Sequence, residues 1–170
     1  EREKERINAL NVFPVPDGDT GSNMASLMQR IVNEAQSYEH IGRTMESISS
    51  AAIAGSRGNS GIIFSEYLNG VYEGVKDLEV ADVHQFHSAV LNGIKKAYNA
   101  IFNPVEGTIL TVFRKAFHID RTVQDFHDYF ALAKVQADKA LGETPEELEV
   151  LKLNHVVDAD GLGWLFASNV

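Results

Sequence analysis

Apolar positions along the chain recur mainly with the 3.6-residue period of an amphipathic α-helix. In the stretch 22–37 they fall three or four residues apart, so that they share one continuous face of a helix. The same pattern predicts several further helices. They cover 62–75, 82–102, 107–118 and 122–141, with one more opening at Thr144 and running toward Leu153, and another after Asp160.

Polar residues mark the starts of several predicted helices. Asp82 and Thr122 stand where an N-cap side chain would accept a hydrogen bond from the first turn. The stretch 144–147, Thr-Pro-Glu-Glu, has the composition of a capping box with proline at the first helical position. We therefore expect a helix to open at each of these three places.

Strand signals are weak by comparison. The most strand-like stretch, 11–16, contains Pro14 and Pro16, which cannot donate to a β-ladder, so we interpret it as an extended loop. We expect an all-α fold, with about seven helices in a single domain that covers residues 1–170. A length of 170 residues also favours one domain.

Composition narrows the function classes. Apolar residues make up 44% and charged residues 23% of the chain, which argues against intrinsic disorder. A net charge of -9 argues against nucleic acid or an anionic membrane as the main partner. The absence of cysteine excludes disulfide scaffolds, cysteine-ligated metals and thiol catalysis. No apolar run approaches the roughly 20 residues of a membrane helix, so we expect a cytoplasmic protein without membrane insertion.

Polar, glycine-rich loops separate the predicted helices and carry the candidate chemistry. Glycine at the junction of a loop and a helix lets a ligand approach the backbone closely. The loops lie at 14–23, 55–61 and 158–163, with a shorter one at 106–108.

The first of these loops combines two kinds of ligand group. Asp17 and Asp19 offer the hard oxygen atoms that suit Mg²⁺. Thr20, Ser22 and Asn23 follow at the start of a predicted helix, where hydroxyl and N–H groups favour phosphate. A solvated Asp-Gly turn followed by an aspartate N-cap explains the same spacing, so both interpretations stay open.

The other loops are weaker signals when each is taken alone. The small residues of 56–61 form either an anion-binding nest or a tight turn, and the chain has no Walker lysine motif. Asp158 and Asp160 precede a predicted helix and are either metal ligands or helix caps. Trp164 follows directly, and we interpret it as a core residue.

Taken together, four stretches resemble a known family. The longest, Ile7–Met24, closely resembles the N-terminal kinase domain of the FakA family, the kinase component of bacterial fatty acid kinases. That domain is related to DhaL, the ADP-binding subunit of bacterial dihydroxyacetone kinase. Three further stretches match in the same order, at 56–63, 104–112 and 156–161, so the resemblance covers nearly the whole chain.

The resemblance implies an antiparallel helical barrel of about eight helices, with the nucleotide bound by loops at one end. It also implies ATP or ADP and two Mg²⁺ ions that bridge the phosphates. Transferred position by position, Asp17 and Asp19 become metal ligands, and Asn11 becomes a third oxygen ligand. The predicted nucleotide-binding residues are Thr20, Ser22, Asn23, Gly58, Asn59, Ser60, Gly61, Gly107, Thr108 and Asp158, of which Gly107 and Thr108 lie where the family contacts adenosine.

The last loop departs from the family's pattern. Where that pattern has Val-Val-Asp-Ala-Gly-Gly-Gln-Gly, this chain has Asp160 and Leu162. Asp160 brings negative charge toward a polyphosphate, which is unfavourable unless the carboxylate faces a metal ion or solvent. The role of this loop therefore stays open.

The activity that the resemblance implies is that of an ATP-dependent kinase. Its intact form would phosphorylate the carboxylate of a fatty acid presented by a carrier protein of the FakB or DegV-like type. A dihydroxyacetone-type kinase and a non-catalytic nucleotide-binding regulatory domain stay open as alternatives, as does a homodimer.

The ends of the chain predict a piece of a longer protein. The chain starts without methionine and stops abruptly at Val170. We expect it to lack the family's first helix and its downstream domains, which are expected to carry the acceptor-side residues. No catalytic residue is therefore assigned here, and we expect the chain alone to be inactive.

Overall fold

The computed structural model describes residues 3–168, which form helices joined by loops. Within these residues we find nine helices and no strand, which confirms the predicted all-α fold, and no helix there has the length and apolar character needed to cross a bilayer. Residues 1–2 and 169–170, the outer ends of the predicted domain, lie outside the described residues. The helices are α1 (Lys4–Leu10), α2 (Thr20–Glu34), α3 (Ile41–Gly55), α4 (Gly58–Val75), α5 (Val83–Asn99), α6 (Ile109–Ala116), α7 (Phe126–Glu147), α8 (Glu149–Leu153) and α9 (Ala159–Ala167).

Helix α9 lies against the core between several other helices. It packs against α1, α2, α6 and α7, while α4 lies against both α3 and α5. Trp164 of α9 is only 6% exposed and meets the rings of Phe113 and Phe117 edge-on, which confirms its predicted core position. Apolar burial of this kind is the main favourable term in folding.

Glycines allow α4 and α5 to approach each other closely. A Cβ atom on Gly93 would lie 2.6 Å from the carbonyl oxygen of Tyr67, and one on Gly70 would lie 2.6 Å from the Cα atom of Gly93. The Asn92 side chain also donates to the Gly70 carbonyl oxygen at 2.8 Å. Backbone contact therefore sets the distance between these two helices.

Gly93→Ala is expected to destabilise the fold by about 1–3 kcal/mol, because the added methyl group meets backbone atoms that cannot move without separating the helices. Thermal or urea unfolding measures this change. Gly142→Ala is the matched control, since a Cβ atom there meets nothing within 4 Å. Its better helix propensity is expected to raise stability by up to about 1 kcal/mol. Equal losses in both variants would contradict the close packing of α4 and α5.

The start of α5 matches the sequence-based prediction. The Asp82 carboxylate accepts a hydrogen bond from the Gln85 N–H at 2.8 Å, and the Gln85 side chain accepts one from the Asp82 N–H at 3.0 Å. This reciprocal pair is a capping box, which satisfies two N–H groups at the helix start.

The predicted N-cap at Thr122 is wrong. Helix α7 begins at Phe126, and the Asp125 side chain caps it by accepting a hydrogen bond from the Asp128 N–H at 3.0 Å. Thr122 instead lies in a turn, where its N–H donates to the Asp120 carboxylate at 2.8 Å. Asp120 therefore stabilises a turn at Thr122, and the cap at Asp125 places the start of α7 at Phe126.

The prediction that a helix opens at Thr144 is also wrong. Helix α7 continues through Pro145 to its end, and α8 starts only at Glu149. Pro145 has no N–H to donate to the Leu141 carbonyl oxygen one turn earlier. The Thr144 hydroxyl donates to that carbonyl oxygen instead, at 2.7 Å and fully buried. This substitute hydrogen bond lets the helix pass the proline.

Candidate functional site

The predicted site loops meet at a small cavity of about 160 Å³. It joins the acidic loop before α2 with the first turns of α4 and α9. Residues 13–15 and Asp160 complete its wall. The predicted site residues that line it are Asn11, Asp17, Asp19, Thr20, Gly58, Asn59 and Ser60.

A hydrogen bond inside the acidic loop positions one of its carboxylates. The Asn11 side-chain nitrogen donates to Asp17 Oδ1 at 2.7 Å, and Asn11 itself is buried. Asp17 is exposed, so its carboxylate is accessible at the cavity while Asn11 supports it from the protein side. The role of Asn11 as a metal ligand stays a prediction.

The two long helices that begin at the cavity are not capped by the side chains of their own N-cap residues. Asp19 is the N-cap residue of α2 and Arg57 that of α4, yet neither of these two side chains makes a capping hydrogen bond. The interpretation of Asp19 as a capping side chain therefore fails. N–H groups without an intrahelical partner, together with the helix dipole, make such starts suited to anions. On α2 one of these groups, the Ser22 N–H, already donates to the Asn8 side chain. Helices α3, α5 and α7 are, by contrast, capped by His40, Asp82 and Asp125.

The two aspartates of the last loop have different surroundings. Asp158 caps α9 by accepting a hydrogen bond from the Gly161 N–H at 2.8 Å, and its own N–H donates to Thr144 Oγ1 at 3.1 Å. Asp160 lines the cavity, is 9% exposed, and has an Oδ1 atom with no hydrogen-bond partner. Burial raises the pKa of both carboxyl groups, and the charge of Asp158 raises the pKa of Asp160 further.

The carboxylate oxygens at the cavity are suitable ligands for a magnesium ion that binds together with phosphate groups. Among the described residues, no three acidic or histidine side chains lie together as a ready-made metal centre. Mg²⁺ in phosphoryl-transfer sites usually takes one or two carboxylates and completes its shell with phosphate oxygens and water. The carboxylates of Asp17 and Asp19, both of which line the cavity, are ligands of that kind.

Some predicted nucleotide-binding residues do not line the cavity. The Asn23 amide nitrogen lies beside its rim, because a Cβ atom on Gly58 would approach it to 2.6 Å. The roles predicted for these residues stay predictions. They are Ser22, Asn23, Gly61, Gly107, Thr108 and Asp158.

Ser22 is held by Asn8, a residue that no sequence signal had singled out. The Asn8 side chain accepts a hydrogen bond from the Ser22 N–H and donates one to the Ser22 hydroxyl, both at 3.1 Å. These bonds join α1 to the first turn of α2. Asn8 therefore supports the helix start that faces the cavity.

Asn8→Ala is expected to lower the free energy of unfolding by about 1–2 kcal/mol, because both hydrogen bonds to Ser22 are lost. Thermal unfolding measures the change. Asn33→Ala is the matched control on the exposed side of α2, where Asn33 accepts one hydrogen bond from Gln29 at 3.0 Å. It is expected to change stability by less than about 0.5 kcal/mol. A loss no larger than the control's would show that Asn8 does not anchor α2.

The loop 106–108 is fixed by a hydrogen-bond network of its own. Three side chains donate to the Glu106 carboxylate, and the Gly107 N–H donates to Thr111 Oγ1 at 2.8 Å. Although burial opposes the charge, these bonds hold the pKa of Glu106 below its usual value. The network orders the start of α6. The donors are Thr111, Arg114 and Tyr98.

A larger cavity, of about 790 Å³, lies elsewhere in the molecule. Its wall is mainly aromatic and apolar, with Phe64, Phe117 and Phe130 among its residues, and none of the four polar loops contributes to it. Because the predicted site loops meet at the smaller cavity and contribute nothing to the larger one, we place the candidate functional site at the smaller cavity.

Known proteins match most of the chain. The sequence profile described as the DAK2 domain matches residues 14–166. Protein YloV of Bacillus subtilis is 38% identical over 165 residues, which make up 94% of this chain and 30% of that protein. An uncharacterized protein of Staphylococcus saprophyticus is 39% identical over 165 residues, covering 92% of this chain and 30% of that protein. The chain thus spans about 30% of the length of the curated relatives it matches.

Proposed function

The chain belongs to the DAK2 domain family, and from that premise we propose that it is the ATP-binding domain of a magnesium-dependent kinase. The family is that of dihydroxyacetone-type kinases, whose DhaL-like subunits bind nucleotide. One observation carries the proposal, namely the cavity that joins the carboxylates of the acidic loop with the starts of α2 and α4, whose own N-cap side chains make no capping hydrogen bond. This combination suits a kinase, because phosphoryl transfer rests on positioning the phosphates and neutralising their charge.

The charge of the cavity supports a requirement for metal. Asp17, Asp19 and Asp160 line it, whereas no lysine or arginine among the described residues does. The carboxylates would repel the phosphate groups of a free nucleotide at this short range. Bound Mg²⁺ would supply the positive charge that admits the phosphates and stabilises their transfer.

The protein groups around the cavity suit the phosphate end of a nucleotide. The N–H groups of the first turn of α4 and of Thr20 and Gly21 in α2 would bind phosphate oxygens, helped by the buried hydroxyls of Thr20 and Ser60. At about 160 Å³ the cavity is smaller than the roughly 300–1,000 Å³ of typical small-molecule sites. The nucleoside would therefore lie outside the cavity. The resemblance to the fatty acid kinase family implies that it would lie toward the loop 106–108.

A carrier-bound fatty acid is the acceptor that we propose for the intact protein, with acyl phosphate as the product. The support is the Ile7–Met24 string, which resembles the fatty acid kinase family more closely than its dihydroxyacetone relatives. The longer relatives have room for acceptor-side residues, because this chain spans only about 30% of their length.

Phosphoryl transfer by the full-length protein tests this proposal. Labelled ATP is supplied with Mg²⁺ and either a fatty-acid-loaded carrier protein or dihydroxyacetone, and acyl phosphate is trapped with hydroxylamine. We expect transfer to the loaded carrier only, and none from residues 1–170 alone. Transfer to dihydroxyacetone would replace the acceptor, and ATP binding without transfer to either would favour a regulatory domain.

A further inference from the structure

A basic groove of about 400 Å³ lies along α2, beside the ends of α3 and the start of α4. Among the described residues its wall holds three cationic side chains, those of Lys4, Arg30 and Arg57, and one acidic side chain, that of Glu34. The whole chain has 24 acidic and 15 basic residues, so this local excess of positive charge runs against the composition. A groove of this size lies within the range of small-molecule sites, and its charge suits an anion.

The basic groove and the small cavity of the candidate site both border the starts of α2 and α4. Ser22 lines the groove and Thr20 lines the cavity, and both belong to the first turn of α2. Arg57 lines the groove, and the next residue, Gly58, lines the cavity. Because consecutive Cα atoms are only about 3.8 Å apart, a group bound at Arg57 would lie beside phosphate groups bound in the cavity.

Arg57 differs from the other two cations of the groove in its contacts. Arg30 donates to the Glu34 carboxylate at 3.1 Å, and the Lys4 ammonium lies 3.6 Å from the Glu5 carboxylate. The exposed Arg57 side chain makes no hydrogen bond or ion pair with any described residue. A guanidinium group stays charged and can bind a carboxylate through two parallel hydrogen bonds. Arg57 is therefore available to an anionic ligand.

The side chains of the groove favour an acceptor that is already an anion. A hydroxyl acceptor loses a proton during phosphoryl transfer, and a carboxylate or histidine side chain usually takes that proton. Among the described residues that line the groove there is no histidine or aspartate, and Glu34 already accepts a hydrogen bond from Arg30. A carboxylate acceptor has no proton to lose. It needs a positive group that offsets its repulsion from the phosphates.

We propose that the basic groove is the acceptor side of the phosphate site and that Arg57 binds the carboxylate of the acceptor. This inference rests on the proposed function, which supplies ATP and a carboxylate acceptor. In the transfer, a carboxylate oxygen forms a bond to the γ-phosphorus of ATP, and the bond from that phosphorus to the bridging oxygen of ADP breaks. ADP leaves with the bonding electrons, no proton moves, and the acceptor becomes an acyl phosphate. Arg57 brings the two negative reactants together.

Steady-state phosphoryl transfer by the full-length protein tests this role, with a fatty-acid-loaded carrier protein as the varied substrate. Arg57→Gln keeps a polar side chain and removes the charge. We expect it to lower kcat/KM for the loaded carrier by at least about 10-fold, mainly through KM, because a charge-assisted hydrogen bond is lost. Arg57→Lys keeps the charge without the planar fork and is expected to fall between the wild type and Arg57→Gln.

Two further measurements separate acceptor binding from other effects. Titration of Mg·ATP is expected to give nearly the same affinity for Arg57→Gln and the wild type, because Arg57 does not line the phosphate cavity. Thermal unfolding is expected to change little, since the side chain is exposed. Arg121→Gln is the matched control, because Arg121 is exposed and lines neither the groove nor the cavity. It is expected to transfer phosphate like the wild type.

The outcomes distinguish this inference from the proposed function. Wild-type kcat/KM in a folded Arg57→Gln protein would overturn the role of Arg57. A matching loss of Mg·ATP affinity would also overturn it, because Arg57 would then act on the nucleotide. If the full-length wild type binds Mg·ATP but transfers phosphate to dihydroxyacetone or to no acceptor, the proposed carboxylate acceptor falls together with this inference.

Discussion

Asp17→Ala is expected to abolish magnesium-dependent ATP binding, with a loss of affinity of at least about 100-fold. The carboxylate of Asp17 lines the cavity, and no basic side chain among the lining residues can take over its part in attracting the cation. A metal ion contributes several kcal/mol to the handling of phosphoryl charge, and each 1.4 kcal/mol corresponds to a tenfold change in affinity. Calorimetric titration of Mg·ATP into the purified variant measures the loss.

A second variant separates charge from folding. Asp17→Asn keeps an oxygen that accepts the hydrogen bond from Asn11, which is 2.7 Å in the wild type, and removes only the charge. It is expected to melt close to the wild type and still to lose most of its Mg·ATP affinity. Wild-type affinity in a folded Asp17→Asn protein would show that this carboxylate is not a metal ligand.

Gly58→Ala is expected to reduce Mg·ATP affinity by about 10-fold or more and to destabilise the fold by about 1–2 kcal/mol. Gly58 has a φ of +62°, a backbone conformation that costs an L-residue about 1–2 kcal/mol. The added Cβ atom would also lie 2.6 Å from the Asn23 amide nitrogen. Both effects displace the start of α4, whose N–H groups we assign to phosphate. Mg·ATP titration and thermal unfolding measure the two losses.

A double-mutant cycle checks the cause of the Gly58 effect. In Gly58→Ala combined with Asn23→Ala, the clash is removed while the backbone strain remains. The two substitutions are therefore expected to be non-additive in stability, by about 0.5 kcal/mol or more. Additive losses would show that the Asn23 amide does not press on this turn.

The apolar period predicts the long helices well because their buried faces carry large side chains. Helix α5, with Val83, Val90 and Ile94 buried, has both its register and its Asp82 cap predicted from sequence. Helix α3 was not predicted, because its fully buried residues are all small, namely Gly42, Ser49, Ala51, Ala52 and Gly55. Its larger apolar residues that pack against the core, Ile41 and Met45, lie near its start.

The start of α4 shows why apolar periodicity alone does not predict where a helix begins. The predicted helix over 62–75 begins earlier, at Gly58, because the first turn of α4 consists of small polar residues without an apolar period. That turn provides N–H groups and the buried Ser60 hydroxyl to the cavity rather than side chains to the core. Sequences depart from ideal helix starts where a ligand would satisfy the backbone groups instead.

Residues far apart in the chain meet in the cavity, and spacing does not predict that meeting. The two Asp-x-Asp motifs, 17–19 and 158–160, look alike in sequence and behave differently in the fold. Only the second contains a capping side chain, Asp158, while Asp160 joins the first motif across the cavity. Packing of α9 against α2 creates this arrangement, which becomes visible only in three dimensions.

Calorimetric titration of ATP and ADP into the purified wild-type protein, first with Mg²⁺ and then with EDTA, tests the central claim most directly. We expect one nucleotide per chain in Mg²⁺ and a large loss of affinity in EDTA, because the acidic cavity admits phosphate only with a cation. Equal affinity in both conditions, or no binding in Mg²⁺, would contradict a magnesium-dependent nucleotide site at this cavity.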